Sequence, residues 1–319
     1  MGNQKYLAFV KTVELGSLTK AANLLGYTQS GISHMIQALE EDMGLRLLHR
    51  DRSGVRTTAE GELLLPYFTD ICNKERQLEN MRRDLLHMDT GLLRIGAFHS
   101  VSVQWMPYII KEFLEDFPRI EFEIMYGDYA QIEEWIWEGR VDLGFLRVPS
   151  RRKLKTIYLA EDELVVILPP GHPLKEVDAF PPKALEEYPF ALVDEGEDYE
   201  VEAVFDHFGV SPRLRFTARD DHTIAAMVAN GLCISILPRL VLEKMPYDIL
   251  KKPFRKPVLR RLGIGYKDEK RLSRAAERFL DYVEDWVKKK DVTVKPPPGL
   301  AKKRRLLLSS FLGPWDRTI

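Results

Sequence analysis

The 319-residue sequence predicts an α/β protein with two unlike parts, an all-α N-terminal part and a larger part of alternating strands and helices. Compact helical patterns fill residues 17–50, and strand-like and helix-like segments alternate after Gly91. Between them, apolar residues recur at seven-residue spacing, which predicts one long helix. A chain of this length exceeds one comfortable hydrophobic core, so we expect two or three domains.

Residues 17–50 predict a helix-turn-helix followed by the start of a wing. Ser17 is a good N-cap for the first helix, and Gly26 stands where a left-handed residue commonly ends one. Thr28 then caps the second helix. Apolar stripes are expected at Ala21, Ala22, Leu24 and Leu25 on the first helix, and at Ile32, Met35, Ile36 and Leu39 on the second.

The outer, N-terminal side of the second helix carries hydrogen-bonding side chains suited to base edges: Gln29, Ser30, Ser33, His34 and Gln37. In a helix-turn-helix, the first turns of this helix enter the major groove. Four arginines around the following turn would meet phosphates: Arg46, Arg50, Arg52 and Arg56. The alternative is an ordinary pair of packed helices with a polar surface. The arginine cluster favours a DNA reader, with candidate DNA-binding residues Ser17, Thr28, Gln29, Ser30, Ser33, His34, Arg50, Arg52 and Arg56.

At this point the sequence resembles the LysR-type transcriptional regulators. The matches run in register from the first helix into the linker: Ser17, Ala21, Ala22, Leu25, Ser33, Leu39, Glu40, Gly44, Leu47, Arg50, Thr58 and Gly61. Leu48 departs from the usual Phe, and Thr57 and Glu60 replace the usual Leu and Ala beside Thr58. These departures concern the packing of wing and linker. The resemblance implies a winged helix-turn-helix over residues 1–58 in a sequence-specific transcriptional regulator.

One long helix is expected from about Thr58 to Met88, which assigns a linker to residues 59–89. Its apolar seam comprises Leu64, Phe68, Ile71, Leu78 and Leu85. Such a seam needs a partner, either a second chain in a coiled coil or the helix's own domain. Pro66 predicts a kink or a late helix start. In the family that the sequence resembles, this helix forms the dimer, so that two recognition helices read a palindromic site.

After Gly91, three apolar runs predict buried strands: LLRIGAF, EFEIMYG and VDLGFLRV. Helices are expected between them, from Pro107 to about Phe117 and from Gln131 to Glu138. These elements form two βα units of a parallel sheet, and therefore one α/β lobe.

A second lobe begins at about Glu163 and contains ELVVILPPGHPL, PFALVDEG, RLRFTAR, a helix over about 222–229, CISILP and the last strand LGIGYK. A C-terminal helix from about Ser273 to Lys288 has an inner face of Ala276, Phe279, Leu280, Val283 and Trp286. We assign the effector domain to 90–290, with lobe I at about 90–162 and 268–290 and lobe II at about 163–267.

Two such lobes follow the plan of periplasmic-type binding proteins, which close a cleft around a small ligand. The LysR resemblance continues through Gly139, Val141, Asp142 and Leu143, through 172–174 and through 228–238. It implies an effector held by strand C-termini and helix N-termini. The effector-binding residues so assigned are His99, Ser100, Val101, Ser102, Gly127, Asp128, Tyr129, Arg147, Asp194, Asp221, His222 and Thr223.

Several of these residues have structural alternatives. Ser100 and Ser102 either contact a ligand or cap a helix, and Asp128 can likewise cap the next helix. Arg147 either grips a carboxylate with its planar fork or forms a surface salt bridge. His222 either contacts the ligand or is exposed or bonded within its lobe. The hydroxyls, the helix N-termini and Arg147 together favour a small anionic or polar effector.

The sequence contains no GxSxG elbow, GxxxxGK[ST] loop, HExxH pair or GxGxxG after a strand, which argues against an enzyme. No cofactor or metal is expected, and Cys72 and Cys233 are interpreted as buried free thiols. No apolar run approaches the roughly 20 residues of a membrane span, and no secretory segment precedes the first helix, so a cytoplasmic protein is expected. The competing class is a cytosolic small-molecule-binding protein or enzyme that uses the cleft.

The formal net charge is −1, so DNA affinity must come from the local arginine cluster, doubled by dimerisation. The expected partners are double-stranded DNA, a small effector, further copies of the chain in a homodimer or homotetramer, and RNA polymerase. Residues 291–319 combine a KPPPG breaker with a basic and then apolar run. A disordered tail is expected there, and extra phosphate contacts or a partner-binding segment are the alternatives.

Overall fold

The computed structural model describes residues 2–51, 54–85, 90–194, 200–268 and 272–290. The N-terminal part contains α1 (Gly2–Leu15), α2 (Leu18–Leu25), α3 (Gln29–Met43), β1 (Leu48–Asp51) and β2 (Gly54–Thr57). The two strands pair antiparallel, so the predicted helix-turn-helix is followed by a wing. One core joins the three helices and the start of the wing through Phe9, Ala21, Ala22, Ile32, Ile36, Leu39 and Leu47.

The burial of α2 differs from the prediction at one position. Ala21 and Ala22 are buried and Leu25 is half-buried, but Leu24 is 60% exposed. A helix of eight residues is covered only on the side that faces α1 and α3, and Leu24 lies beyond that side. On α3 the predicted apolar stripe is confirmed.

The long helix α4 (Ala59–Leu85) contains Pro66 and begins before it, so the late start is wrong. Its first turns pack on α1, where Phe68 stacks on Tyr6 with 5.0 Å between ring centroids. The predicted seam therefore divides, because its N-terminal part lies in the core while Ile71 and Leu78 are 39% and 70% exposed. The side chain of Leu85 and residues 86–89 lie outside the described residues.

The first lobe contains β3 (Gly91–Ala97), α5 (His99–Gln104), α6 (Met106–Asp116), β4 (Ile120–Tyr126), α7 (Tyr129–Glu138) and β5 (Leu143–Arg147). Strand β3 pairs parallel with both β4 and β5, as predicted. Helix α5 was not predicted, because six residues are too few for a helical period to be recognised.

The remaining elements are β6 (Lys155–Leu168), a 3-10 helix (Pro182–Glu186), β7 (Pro189–Val193), α8 (Glu200–Phe208), β8 (Arg213–Ala218), α9 (Asp221–Ala229), β9 (Ser235–Pro238), α10 (Arg239–Leu242), β10 (Leu250–Lys252), β11 (Val258–Tyr266) and α11 (Arg274–Lys290). Strands β7 and β8 pair parallel, whereas β9 and β10 pair antiparallel with β6. The inner face of α11 is buried as predicted, and it packs into the core of the first lobe.

Strands β6 and β11 run antiparallel between the two lobes. Residues 262–265 of β11 also pair with β5, so LGIGYK lies beside a strand of the first lobe and not wholly within the second lobe as predicted. Glycines in β11 allow close neighbours on both sides, because a Cβ atom on Gly263 would lie 2.6 Å from the carbonyl oxygen of Ile157 on β6, and one on Gly265 would lie 2.8 Å from the side chain of Leu146 on β5. The strand order is β10-β6-β11-β5-β3-β4, with β9 beside β6. The lobe bounds given above stay a prediction.

Several expectations concern residues 291–319 and Arg52, which lie outside the described residues. Cys72 is half-buried and Cys233 is buried, and burial raises the pKa of both thiols to about 11. Both cysteines are free. Within the described ranges, no helix has the length and apolar character needed to cross a membrane.

Candidate DNA-recognition surface and effector cleft

The candidate recognition surface forms at the start of α3. Thr28 caps this helix, and its Oγ1 accepts a hydrogen bond from the backbone N–H of Gly31 at 3.1 Å. Gln29, Ser30 and His34 are exposed in the turns that follow. The cap sets the direction of the helix, so these side chains stand on its outer, N-terminal side, where a helix-turn-helix meets base edges.

The wing is tied to α3 by Arg50. Its Nη1 donates to the Oγ of Ser33 at 2.7 Å. The carboxylate of Glu40 accepts from the backbone N–H groups of Leu47 and Leu48, at 2.7 and 3.1 Å, and so fixes the start of β1. Helix and wing therefore form one polar surface with a guanidinium at its centre.

The cleft between the lobes is organised around Arg260 of β11, which is 5% exposed. Its Nε and Nη2 donate to Asp162 Oδ2 at 3.0 and 2.8 Å, and Asp162 lies directly opposite it on β6. Its other bonds reach the first lobe, to Ser100 Oγ at 2.8 Å and to Tyr129 Oη at 3.0 Å. Burial lowers the pKa of Arg260, but Tyr129, Asp162 and Glu200 raise it, leaving it well above its ordinary value.

The second lobe contributes two buried carboxyl groups. Asp221 on α9 is 4% exposed, and its Oδ1 has no hydrogen-bond partner among the described residues. Burial raises the pKa of Asp221, against the lowering effect of His99 and Arg260. Glu200 on α8 is 5% exposed, and neither of its carboxylate oxygens has a hydrogen-bond partner in the described part of the chain.

Two histidines face each other across the lobes. The ring centroids of His99 and His222 are 5.7 Å apart and nearly perpendicular. The ring centroid of Tyr247 lies 5.9 Å from that of His222. A pocket of about 370 Å³ opens beside His222, and Met227 and Leu232 help to line it.

Two sequence families match this chain. The bacterial regulatory helix-turn-helix protein of the lysR family matches residues 4–62, and the LysR substrate binding domain matches residues 87–288. The chain belongs to the LysR family. It is therefore a transcriptional regulator with a helix-turn-helix and an effector-binding domain, and not an enzyme.

Other LysR-family proteins resemble the whole chain. It is 28% identical to the HTH-type transcriptional regulator YvbU of Bacillus subtilis over 280 aligned residues. The alignment covers 87% of this chain and 96% of YvbU. It is 31% identical to the probable regulator LrrA of Synechococcus elongatus over 259 aligned residues, an alignment that covers 79% of this chain and 85% of LrrA.

Solved structures share the fold. CbnR, in a complex with its target DNA, is 22% identical to this chain. The superposition covers 89% of this chain and 99% of the CbnR chain, with a TM-score of 0.68. Full-length OxyR from Pseudomonas aeruginosa is 20% identical over 90% of this chain and 95% of its own, with a TM-score of 0.66. These likenesses confirm the predicted fold class.

Four of the effector-binding residues assigned to the LysR cleft have structural roles. The Oγ of Ser102 donates to the carbonyl oxygen of Phe98 at 2.7 Å, and Asp128 caps α7 by accepting from the N–H of Gln131 at 2.7 Å. The side chain of Val101 is fully buried in the first-lobe core. Gly127 lies against Trp135, since a Cβ there would come within 2.5 Å of the indole ring.

In the second lobe, Thr223 is held by the cap of α9. Its N–H and Oγ1 donate to the carboxylate of Asp220 at 2.8 and 2.6 Å. Asp194 is exposed, and its backbone N–H donates to the carbonyl oxygen of Ala218 at 2.7 Å. Arg147 ends β5, half-buried and opposite Leu262. Effector contact by these residues stays a prediction.

The sequence analysis missed three cleft residues: Asp162, Glu200 and Arg260. A weak signal existed for two of them, because Asp162 and Arg260 are charged residues directly before or within two positions of the predicted apolar runs ELVVIL and LGIGYK, although other charged residues stand beside them. Such residues need a buried partner, and the register of β6 and β11 supplies it. Glu200 opens a helix that was not predicted, so it carried no comparable signal.

Proposed function

We propose that the protein binds a specific, interrupted palindrome through α3 and the wing, and that a small polar effector between the lobes changes this binding. The Arg50–Ser33 bond carries the proposal, because it fixes a phosphate-binding side chain beside the exposed polar start of α3. The DNA complex of CbnR, which shares the fold, supports the DNA half of the proposal.

Two copies of the chain are needed to read a palindrome. The exposed apolar residues on α4, including Ile71 and Leu78, support a helix-to-helix dimer there. A homodimer, or a homotetramer built from it, places two recognition helices on a two-fold axis. RNA polymerase is the protein partner through which such a complex would act on transcription.

Helix α7 supports a route from the cleft to α4. At its first residue, the hydroxyl of Tyr129 accepts a hydrogen bond from Arg260 in the cleft. At its other end, Arg76 of α4 donates to the carbonyl oxygen of Gly139 and, at 2.6 Å, to Asp142 Oδ1. An effector that moves the lobes therefore moves a rigid helix whose two ends contact the cleft and the linker.

Binding-site selection on random DNA with the full chain, followed by mobility shifts, tests the DNA half. Gln29→Ala should relax base preference at one position by about 1–3 kcal/mol, because a side chain that reads a base edge is lost. Arg50→Ala should weaken binding to every sequence and reduce its salt dependence, because a phosphate contact is lost. Ser33→Ala should resemble Arg50→Ala, since Ser33 holds that arginine.

Gln4, exposed on α1, provides the matched control, and Gln4→Ala should leave both affinity and preference unchanged. An equal loss of affinity on every sequence for Gln29→Ala would overturn its role in base reading. Failure of the wild-type chain to enrich any site would overturn the proposed function as a whole.

A further inference from the structure

The cleft contains buried carboxyl oxygens that accept no hydrogen bond from the described residues. Buried polar groups in proteins are normally hydrogen-bonded. Asp221 Oδ1 and both carboxylate oxygens of Glu200 are buried with no hydrogen-bond partner among the described residues. They belong to different helices, α9 and α8, so no single local turn explains both.

The buried guanidinium of Arg260 is already matched by bonded partners. Asp221 precedes His222, whose ring faces that of His99. The neighbouring Ser100 is bonded to Arg260, so Arg260 lies close to Asp221. The charge of Glu200 raises the pKa of Arg260, which indicates that Glu200 faces the same space. Two nitrogens of Arg260 are bonded to Asp162, and the remaining bonds go to Ser100 and to a tyrosine hydroxyl. An added carboxylate would have to displace these partners and would meet two more carboxyl groups, so the described cleft disfavours a purely anionic ligand.

We infer that the effector carries a cationic nitrogen, as a primary ammonium or a guanidinium, that donates hydrogen bonds to Asp221 and Glu200. Such a group supplies several N–H donors and the charge that the two carboxyl groups lack. The inference rests on the proposed effector site and narrows its ligand class. A pocket of about 370 Å³ begins at His222, the residue after Asp221, and Met227 and Leu232 there would favour a short alkyl chain on the same molecule.

The test measures thermal stabilisation and calorimetric binding of the full chain with putrescine, agmatine and L-arginine, against glutarate as an anion of similar length. At least one of the three cationic probes should bind the wild type, and glutarate should bind more weakly. Asp221→Asn and Glu200→Gln should each weaken that binding about tenfold or more, because each removes a charge-assisted hydrogen bond. Glu202→Gln is the matched control, since Glu202 is exposed in the same first turn of α8, and it should bind like the wild type.

Three results would overturn the inference: binding of glutarate alone, no binding of any cationic probe, or cation binding that survives both carboxyl substitutions. The comparison of cations with glutarate uses the wild-type chain, so it decides the matter even if a variant does not fold. Mobility shifts on the selected DNA site are read separately. Retained DNA binding with a failed cation test would leave the proposed DNA-binding function standing, and binding of glutarate alone would leave the effector site standing as well.

Discussion

The recognition surface and the effector cleft are both polar, but they hold their polar side chains in opposite ways. Gln29 and His34 are exposed on one helix, close together in sequence. In the cleft, Arg260 is buried and bonded to Ser100, 160 positions away. Substitutions on the recognition surface should therefore change DNA affinity with little effect on stability, whereas those in the cleft should change stability first.

The largest expected effect belongs to the centre of the cleft. Arg260→Met should lower the free energy of unfolding by about 3–5 kcal/mol, because it leaves the carboxylate of Asp162 buried without its charged partner. Urea unfolding of the full chain, followed by tryptophan fluorescence, measures it. Arg261→Met is the control, since the neighbouring side chain is 55% exposed. Equal stability of the two variants would break the contrast between buried and exposed sites.

The second effect concerns α4, which connects the two regions. Ile71→Glu with Leu78→Glu places like charges along the exposed seam and should abolish the dimer and palindrome binding together. Lys74→Glu, exposed on the same helix, should keep both. Sedimentation of the full chain decides, and a doubly substituted chain that still sediments as a dimer would place the interface elsewhere.

A smaller effect is expected where α4 meets the first lobe. Arg76→Ala should reduce the coupling between DNA and effector, typically about 1–3 kcal/mol in allosteric proteins, because it removes the contact with Asp142. The measurement is the affinity of a stabilising cleft probe with and without the selected DNA. Arg82→Ala is the control, since Arg82 pairs with Glu79 on the same helix and is 58% exposed. Unchanged coupling in Arg76→Ala would exclude this contact from the route.

The smallest effect is a pH dependence of stability. Burial raises the pKa of Asp221, so the folded protein holds this proton more tightly than the unfolded chain does. The resulting stability is fully present below the ordinary carboxyl pKa and is lost as the pH rises through the raised pKa. Asp221→Asn, which cannot ionise, should lose less stability than the wild type between mild acid and neutral pH.

Asp220 provides a comparison of opposite sign. The hydrogen bond from the Thr223 hydroxyl lowers the pKa of Asp220, so its contribution is present above the ordinary carboxyl pKa and is lost as the pH falls. Asp220→Asn should therefore lose less stability in acid. If stability depended on pH in the same way in the two variants, burial would not be what sets the pKa of Asp221.

The sequence predicted those elements whose pattern is long or whose ends are marked. Strands β3, β4 and β5 and helix α7 were found from apolar runs and a glycine stop. The short helix α5 was missed, because it spans less than two full turns. The prediction that Leu24 is buried is wrong. Helical periodicity shows where an apolar stripe runs, but it does not show which edge of the stripe the neighbouring helices cover.

The sequence by itself determined the caps at Ser17 and Thr28, the polar start of α3 and the LysR resemblance, because each of these depends on residues a few positions apart. Only the tertiary structure decided that Ser100 accepts a hydrogen bond from Arg260, and that β11 pairs with β5. The physical reason is that a capping bond is set by local backbone geometry. The partner of a buried charge is set by strand register across the whole effector domain, which no local pattern specifies.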